Sequence, residues 1–247
     1  MSRSHKRAGR SAESWNPKTM FGPGMSFAAA EAYKLLRTNI MFSFSDAKSC
    51  HIVGITSSIQ NEGKSSSSCN IAYALAETGA RVLLVEADLR KPTTAVKLGL
   101  SQTPGLTNLL ISRDDYKSYI QHSELAPAID IITSGDIPPN PSEMLGSERM
   151  STLLEQIRAD YDYILVDLPP VTAVSDAVTI SKKLDGVIVV VRSGVAQRKA
   201  LAETMRQLKM VGARILGFVY REDMQAHRAY YKHQYNRYNN YEKTDLK

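Results

Sequence analysis

HIVGITSSIQNEGKSSSS, residues 51–68, decides how the rest of the chain is read. Its first five residues are apolar enough for a buried strand. A polar turn with Gly63, Lys64 and Ser65 follows, and then an alanine- and leucine-bearing run, Asn70 to Ala76, that predicts a helix. Strand, loop, Gly-Lys-Ser and helix together form the layout of a phosphate-binding P-loop. Backbone N–H groups of such a loop converge on an anion at the positive end of the following helix. Lys64 would reach the β- and γ-phosphates and the Ser65 hydroxyl would hold Mg²⁺. The usual pattern has glycine five residues before Gly63, where this chain has Ser58.

Outward from the loop, apolar strands alternate with helical segments. Val82 to Val85, Ile129 to Thr133, Tyr163 to Val166, Val187 to Val191 and Ile215 to Tyr220 read as strands. Several are apolar throughout, which implies a parallel sheet covered on both faces, an α/β fold of the P-loop NTPase class. Ser26 can cap a helix from Phe27 to Phe42 with Tyr33, Leu36 and Ile40 on one face and Glu31, Lys34 and Thr38 on another. Helices are also expected over 147–160, 177–184 and 198–211. Residues 93–128 suggest helices and loops without nameable chemistry. The stretch SGDIPPNPSEML, 134–145, is expected to be a stiff loop because of its prolines.

Two carboxylate groups extend the site. Val82 to Val85 runs into Glu86, Asp88 and Arg90, which point one way if the extended geometry persists. At the carboxyl end of a parallel strand they lie on the rim where α/β sheets bind ligands. There they could hold a metal or accept a proton from an attacking hydroxyl. Tyr163 to Val166 ends in Asp167, followed by Leu168-Pro169-Pro170, the form of a Walker B segment whose carboxylate supports Mg²⁺.

Composition narrows the classes. At 247 residues one α/β domain is the default, and an apolar fraction of 43% is ordinary for a soluble chain. No apolar run approaches the ~18 residues that cross a bilayer. The start, MSRSHKRAGRSAESW, lacks the apolar core of a secretory signal. Two cysteines, Cys50 and Cys69, without CxxC spacing argue against a metal cluster or disulfide scaffold and fit a reduced, cytoplasmic protein. The net charge of +6 is carried by the ends: residues 1–20 hold five Lys/Arg against one Glu, and residues 221–247 hold six against four Asp/Glu. The body between them is neutral, so no nucleic-acid groove is expected. A basic, disordered lead over 1–25, a folded domain over 26–225 and a flexible tail over 226–247 are the expected divisions. The tail carries Tyr230, Tyr231, Tyr235, Tyr238 and Tyr241 among polar residues, too few aliphatic groups to bury a face.

These motifs resemble the bacterial tyrosine kinases, specifically the stand-alone cytoplasmic kinases of capsule and exopolysaccharide operons. The resemblance is carried by EAYKLLRTNI (31–40), EGKSSSS (62–68), VLLVEADLRKP (82–92), PPNPSEML (138–145), ILVDLPP (164–170) and the terminal tyrosines. It implies a MinD/ParA-like fold and an ATP- and Mg²⁺-dependent protein-tyrosine kinase. Glu62, Gly63, Lys64, Ser65 and Ser66 would bind ATP; Ser65, Asp88 and Asp167 the metal; Lys64, Glu86, Asp88 and Asp167 would be catalytic. Tail tyrosines would be phosphorylated by a neighbouring subunit of a ring-like oligomer built through Glu31, Lys34 and Arg37. The implied partners are a membrane-embedded regulator of polysaccharide chain length, which would hold the kinase at the inner face of the membrane, and proteins of polysaccharide synthesis.

Three departures from the family pattern stand out. Glu86 replaces Asp, Lys34 replaces Arg and loses bidentate pairing, and Gln60-Asn61 replaces Pro-Gly. The alternative class, a MinD/ParA-like ATPase switch, carries a further lysine five residues before the Walker lysine; here that place is Ile59.

Overall fold

The computed structural model describes residues 21–44, 49–112 and 114–222. The tail tyrosines and most of the basic lead lie outside the described residues. Helices are α1 Phe27–Phe42, α2 Lys64–Ala76, α3 Thr94–Leu98, α4 Leu106–Ile111, α5 Pro141–Gly146, α6 Glu148–Arg158, α7 Asp176–Ser181 and α8 Arg198–Met210. Strands are β1 His51–Ser57, β2 Val82–Glu86, β3 Gln121–Ser123, β4 Ala126–Ile132, β5 Tyr163–Asp167, β6 Gly186–Arg192 and β7 Ile215–Arg221.

The seven strands form one sheet in the order β3-β4-β2-β5-β1-β6-β7. Every neighbouring pair is parallel except the β3–β4 hairpin at one edge. All seven residues of β1 are buried, as a central strand covered on both faces requires. Side-chain alternation sends Ile52, Leu83, Ile164 and Val187 to one core with Leu153 and Ile157 of α6, Ile180 of α7 and Leu208 of α8. Val53, Leu84, Leu165 and Ile188 face the other way and pack on Ile40 of α1 and on Ile71 and Leu75 of α2. At Gly54 an added Cβ would lie 2.6 Å from the Leu184 side chain, so any larger residue in the central strand would push Leu184 aside.

Helix starts follow local chemistry. Ser26 accepts from the Ala29 N–H at the head of α1, and Ser147 accepts from Met150 N–H at the head of α6. Among the described residues no helix is long and apolar enough to cross a membrane.

The structure departs from the sequence expectations in four places. Residues 21–25, expected within the disordered lead, belong to the folded body: Phe21 is buried in the α1–α2 core and Gly22 N–H donates to Asn70 Oδ1. Helix α2 begins at Lys64, six residues before Asn70, because Ser65 to Ser68 are packed into the interior as its first turns, with Ser68 Oγ reaching Asp167 Oδ1. Within 134–145 the prolines do not exclude a helix: Pro141 occupies the first turn of α5, where its missing N–H costs nothing. Residues 93–128 hold α3, α4 and the antiparallel β3, and β4 starts at Ala126, before the expected Ile129.

Candidate active site

Parallel pairing brings the carboxyl ends of β1, β2, β5, β6 and β7 to one rim. A cavity of about 730 Å³ opens there, lined by the loop residues Gln60, Asn61, Gly63, Lys64, Ser65 and Ser66, and by Asp88, Arg90, Lys91, Thr93, Lys97, Pro169, Pro170, Arg192 and Arg221. Six cationic side chains line it against the two carboxylates Asp88 and Glu222. The neutral body inferred from charge counting thus hides a locally positive pocket suited to a polyanion.

The loop is built to present amides. Gly63 caps α2 with φ 90°, and Asn61 takes φ 66°, the one non-glycine residue with positive φ among the described residues. Asparagine tolerates this left-handed conformation better than other side chains with a Cβ. Backbone N–H groups of Glu62, Gly63, Lys64, Ser65 and Ser66 meet no acceptor among the described residues. They stand at the positive end of α2, a ready anion cradle. Glu62 itself turns away from the cavity. Its buried Oε2 accepts from the N–H groups of Ser58 (2.8 Å) and Ile59 (2.9 Å), so it braces the loop from below.

Lys64 is the centre of the site. Its Nζ lies 2.8 Å from Asp88 Oδ2, 3.5 Å from Asp167 Oδ2 and 3.2 Å from Ser65 Oγ. Burial alone would lower its pKa, but Asp167 and Asp88 outweigh that and raise it, so the ammonium stays charged. Asp167 is fully buried at the end of β5, with Ser68 Oγ 3.2 Å from its Oδ1. Thr93 Oγ1 lies 3.2 Å from Ser65 Oγ and accepts from Lys97 Nζ at 3.0 Å. Burial lowers the Lys97 pKa against the opposing pull of Asp167.

Four of the residues expected to be catalytic or metal-binding therefore meet: Lys64, Ser65, Asp88 and Asp167. Glu86 does not join them. The strand ends at Glu86 and the chain turns, with Lys91 N–H closing on Asp88 Oδ1 at 3.1 Å, so the assumed alternation through residue 90 fails. Glu86 points into the protein, fully buried, and accepts from the N–H groups of Thr93 (2.6 Å), Thr94 (2.6 Å) and Ser134 (3.3 Å). Burial raises its pKa, with the Thr94 and Thr93 amides opposing. It ties the segment after β2 to the loop after β4.

Sequence reasoning missed Asp176, which is fully buried at the start of α7 and holds Arg90 through both carboxylate oxygens, at 2.7 and 3.1 Å. Arg192 and Arg221 were also missed. No local spacing signals any of them, because each partner comes from a distant part of the chain. On α1, Glu31 and Lys34 form an exposed ion pair at 2.8 Å, whereas Arg37 donates to the Ala74 carbonyl at 2.9 Å and fastens α1 to α2.

The AAA domain family (AAA_31) matches residues 52–216. The tyrosine-protein kinase YwqD of Bacillus subtilis is 37% identical over 190 residues, 77% of this chain and 79% of its own length. CpsD, a tyrosine-protein kinase of Streptococcus agalactiae, is 32% identical over 88% of this chain and 91% of its own. The chain belongs to the bacterial tyrosine-protein kinases. The solved kinase domain of Escherichia coli ETK superposes on this kinase with a TM-score of 0.77 at 30% identity, over 89% of this chain and 84% of that one. The kinase spans only 26% of the full-length E. coli etk sequence. A ParA family ATPase from Chlorobium tepidum, at TM-score 0.58 and 21% identity, shares the fold alone.

Proposed function

We propose that the chain transfers the γ-phosphoryl group of ATP to tyrosine hydroxyls in the C-terminal segment of a neighbouring copy, and that this regulates capsular or exopolysaccharide synthesis. The observation that carries the reading is Lys64, held between Asp88 and Asp167 beneath the unpaired loop amides. The residues fit Mg²⁺: the Ser65 hydroxyl, Asp88 and Asp167 offer oxygen alone, as a hard cation prefers. Among the described residues no three His, Cys, Asp or Glu side chains gather as a metal cluster, so this partial shell suits an ion completed by phosphate and water. When bound, that ion would neutralise charge on the phosphoryl oxygens.

In the proposed reaction the amides of Glu62 to Ser66 bind and orient the phosphates, and Lys64 turns from Asp88 towards the β- and γ-phosphate oxygens. Asp88 is then free to take the phenol proton while the phenolate oxygen bonds to the γ-phosphorus. The bond from that phosphorus to the β,γ-bridging oxygen breaks and ADP leaves. Positioning and charge supply most of the acceleration in such transfers. Tyr230, Tyr231, Tyr235, Tyr238 and Tyr241 are the proposed acceptors, and Glu31, Lys34 and Arg37 the proposed contacts between subunits. The proposed partner is a membrane-embedded regulator of polysaccharide chain length.

One feature weighs against a ParA-like switch that gives phosphate only to water. Ile59 occupies the place of that class's additional lysine and is spent on Glu62 through its N–H. Tyrosine phosphorylation measured by mass spectrometry after ATP, in the wild type and in Lys64→Ala, tests the proposal. Abundant phosphotyrosine in the wild type and none in the variant is expected; equal amounts would refute it.

A further inference from the structure

We propose that Arg221, assisted by Arg192, is a positioning residue that sets the peptide planes of the phosphate loop. The inference rests on the reading that this loop holds nucleotide phosphates. Arg192 ends β6 and Arg221 ends β7, and the parallel register places them side by side. Both reach back more than a hundred residues to the loop. Arg221 Nη1 donates to the Gly63 carbonyl at 3.2 Å, and Arg192 Nη1 lies 3.5 Å from the Asn61 carbonyl.

A trans peptide is planar, with its C=O and the following N–H pointing in opposite directions. Holding the carbonyls of Asn61 and Gly63 toward the ends of β6 and β7 therefore turns the N–H groups of Glu62 and Lys64 the other way. Those are two of the amides without an acceptor among the described residues. The hold matters because the loop is locally unfavourable: Asn61 sits at φ 66° and Gly63 at φ 90°. The contact is close. A Cβ on Gly63 would lie 1.6 Å from Arg221 Nη1, so the guanidinium rests directly against the glycine α-carbon. Glycine at 63 is thus favoured by its φ, and any side chain there would also displace the Arg221 guanidinium.

A guanidinium suits the task better than an ammonium. It is planar, always charged and directs several N–H donors from a fixed fork, so it sets an angle as well as a charge. Arg221 acts through the loop amides, so its loss should weaken nucleotide binding more than it slows the chemical step.

The test uses the full chain and ADP as probe, with KM for ATP and kcat from phosphotyrosine formation, alongside thermal unfolding. Arg221→Ala should raise the ADP dissociation constant and the KM for ATP about tenfold, the usual worth of a hydrogen bond from a charged group. The kcat should change less than threefold and the unfolding temperature should hold. Arg221→Lys should recover less than half of the loss. An unchanged ADP affinity, a fall confined to kcat, or complete recovery by lysine, which would mean charge rather than geometry, overturns the proposal. If Arg221→Ala does not fold, Arg221→Gln carries the same readout with the same expected direction. The kinase reading fails separately: wild type that binds ADP but forms no phosphotyrosine refutes that reading and leaves the Arg221 comparison readable.

Discussion

The Lys64 ammonium and the Asp88 carboxylate are joined at 2.8 Å, across the gap between the first turn of α2 and the segment after β2. The pair is nearly buried, with side-chain exposures of 11% and 6%. A phosphate entering the loop must compete with Asp88 for the same cation. Asp88→Asn should therefore tighten ADP binding in the absence of Mg²⁺, because the phosphate then gains Lys64 without displacing a nearly buried carboxylate. Phosphotyrosine formation should fall by about 10² or more, the typical worth of a positioned general base. Nucleotide titration and phosphotyrosine quantification check the two arms. A variant that keeps its rate would remove Asp88 from proton transfer.

Asn61 offers a stability test of the loop. At φ 66° a β-branched side chain pays about 1–2 kcal/mol, whereas glycine pays nothing sterically. Asn61→Val should lower the unfolding free energy by about that amount. Asn61→Gly should stay within about 0.5 kcal/mol of wild type, because relief of strain is offset by the looser unfolded chain. Urea unfolding of the two variants measures both.

Glu86 separates bracing from chemistry. Glu86→Ala would strand the N–H groups of Thr93, Thr94 and Ser134 in the interior, costing about 1–3 kcal/mol. Loosening Thr93, which lines the cavity beside Ser65, should also weaken ATP binding. Denaturant unfolding and ADP titration report on these together; a variant of wild-type stability that loses only turnover would return Glu86 to the catalytic set.

Lys97 gives a pH signature. Burial lowers its folded pKa below the usual 10.5, so between the two values the unfolded chain binds more protons and stability rises with pH. Lys64 has the opposite shift. Its pairing contributes stability that is full below 10.5 and is lost as pH rises through its higher folded pKa. The difference in unfolding free energy between Lys97→Met and wild type should favour the variant at neutral pH and shrink as pH climbs toward 10.5. A difference that stays constant across that range would contradict the buried-lysine account.

The central sheet and the loop were legible because their signals are local. A largely apolar β1, Gly-Lys-Ser after it, and an apolar run ending in Asp167 each fit within a few neighbouring residues. Helix α1 was legible from the spacing of Tyr33, Leu36 and Ile40, which do face the core. What escaped depends on contacts made at long range or on where regular structure stops. The direction of Glu86 hinged on the strand ending at that residue, and no pattern in VLLVEADLRKP marks the end. The serine run at 65–68 reads as loop by propensity, yet tertiary packing makes it the buried first turns of α2. Asp176 and Arg221 carry no motif at all, since their roles exist only once distant strands and helices deliver them to the rim.

Every cavity-lining group described above belongs to the carboxyl ends of the strands, which leaves the opposite end of the sheet without such a duty. The turns at Gly79 and Gly212 lie there, and no heavy atom stands within 4 Å of where their Cβ atoms would be. A fluorescent protein spliced into either turn would keep clear of the nucleotide rim. Live imaging of where the kinase gathers in a cell could then proceed with both chain ends, tyrosines included, left native.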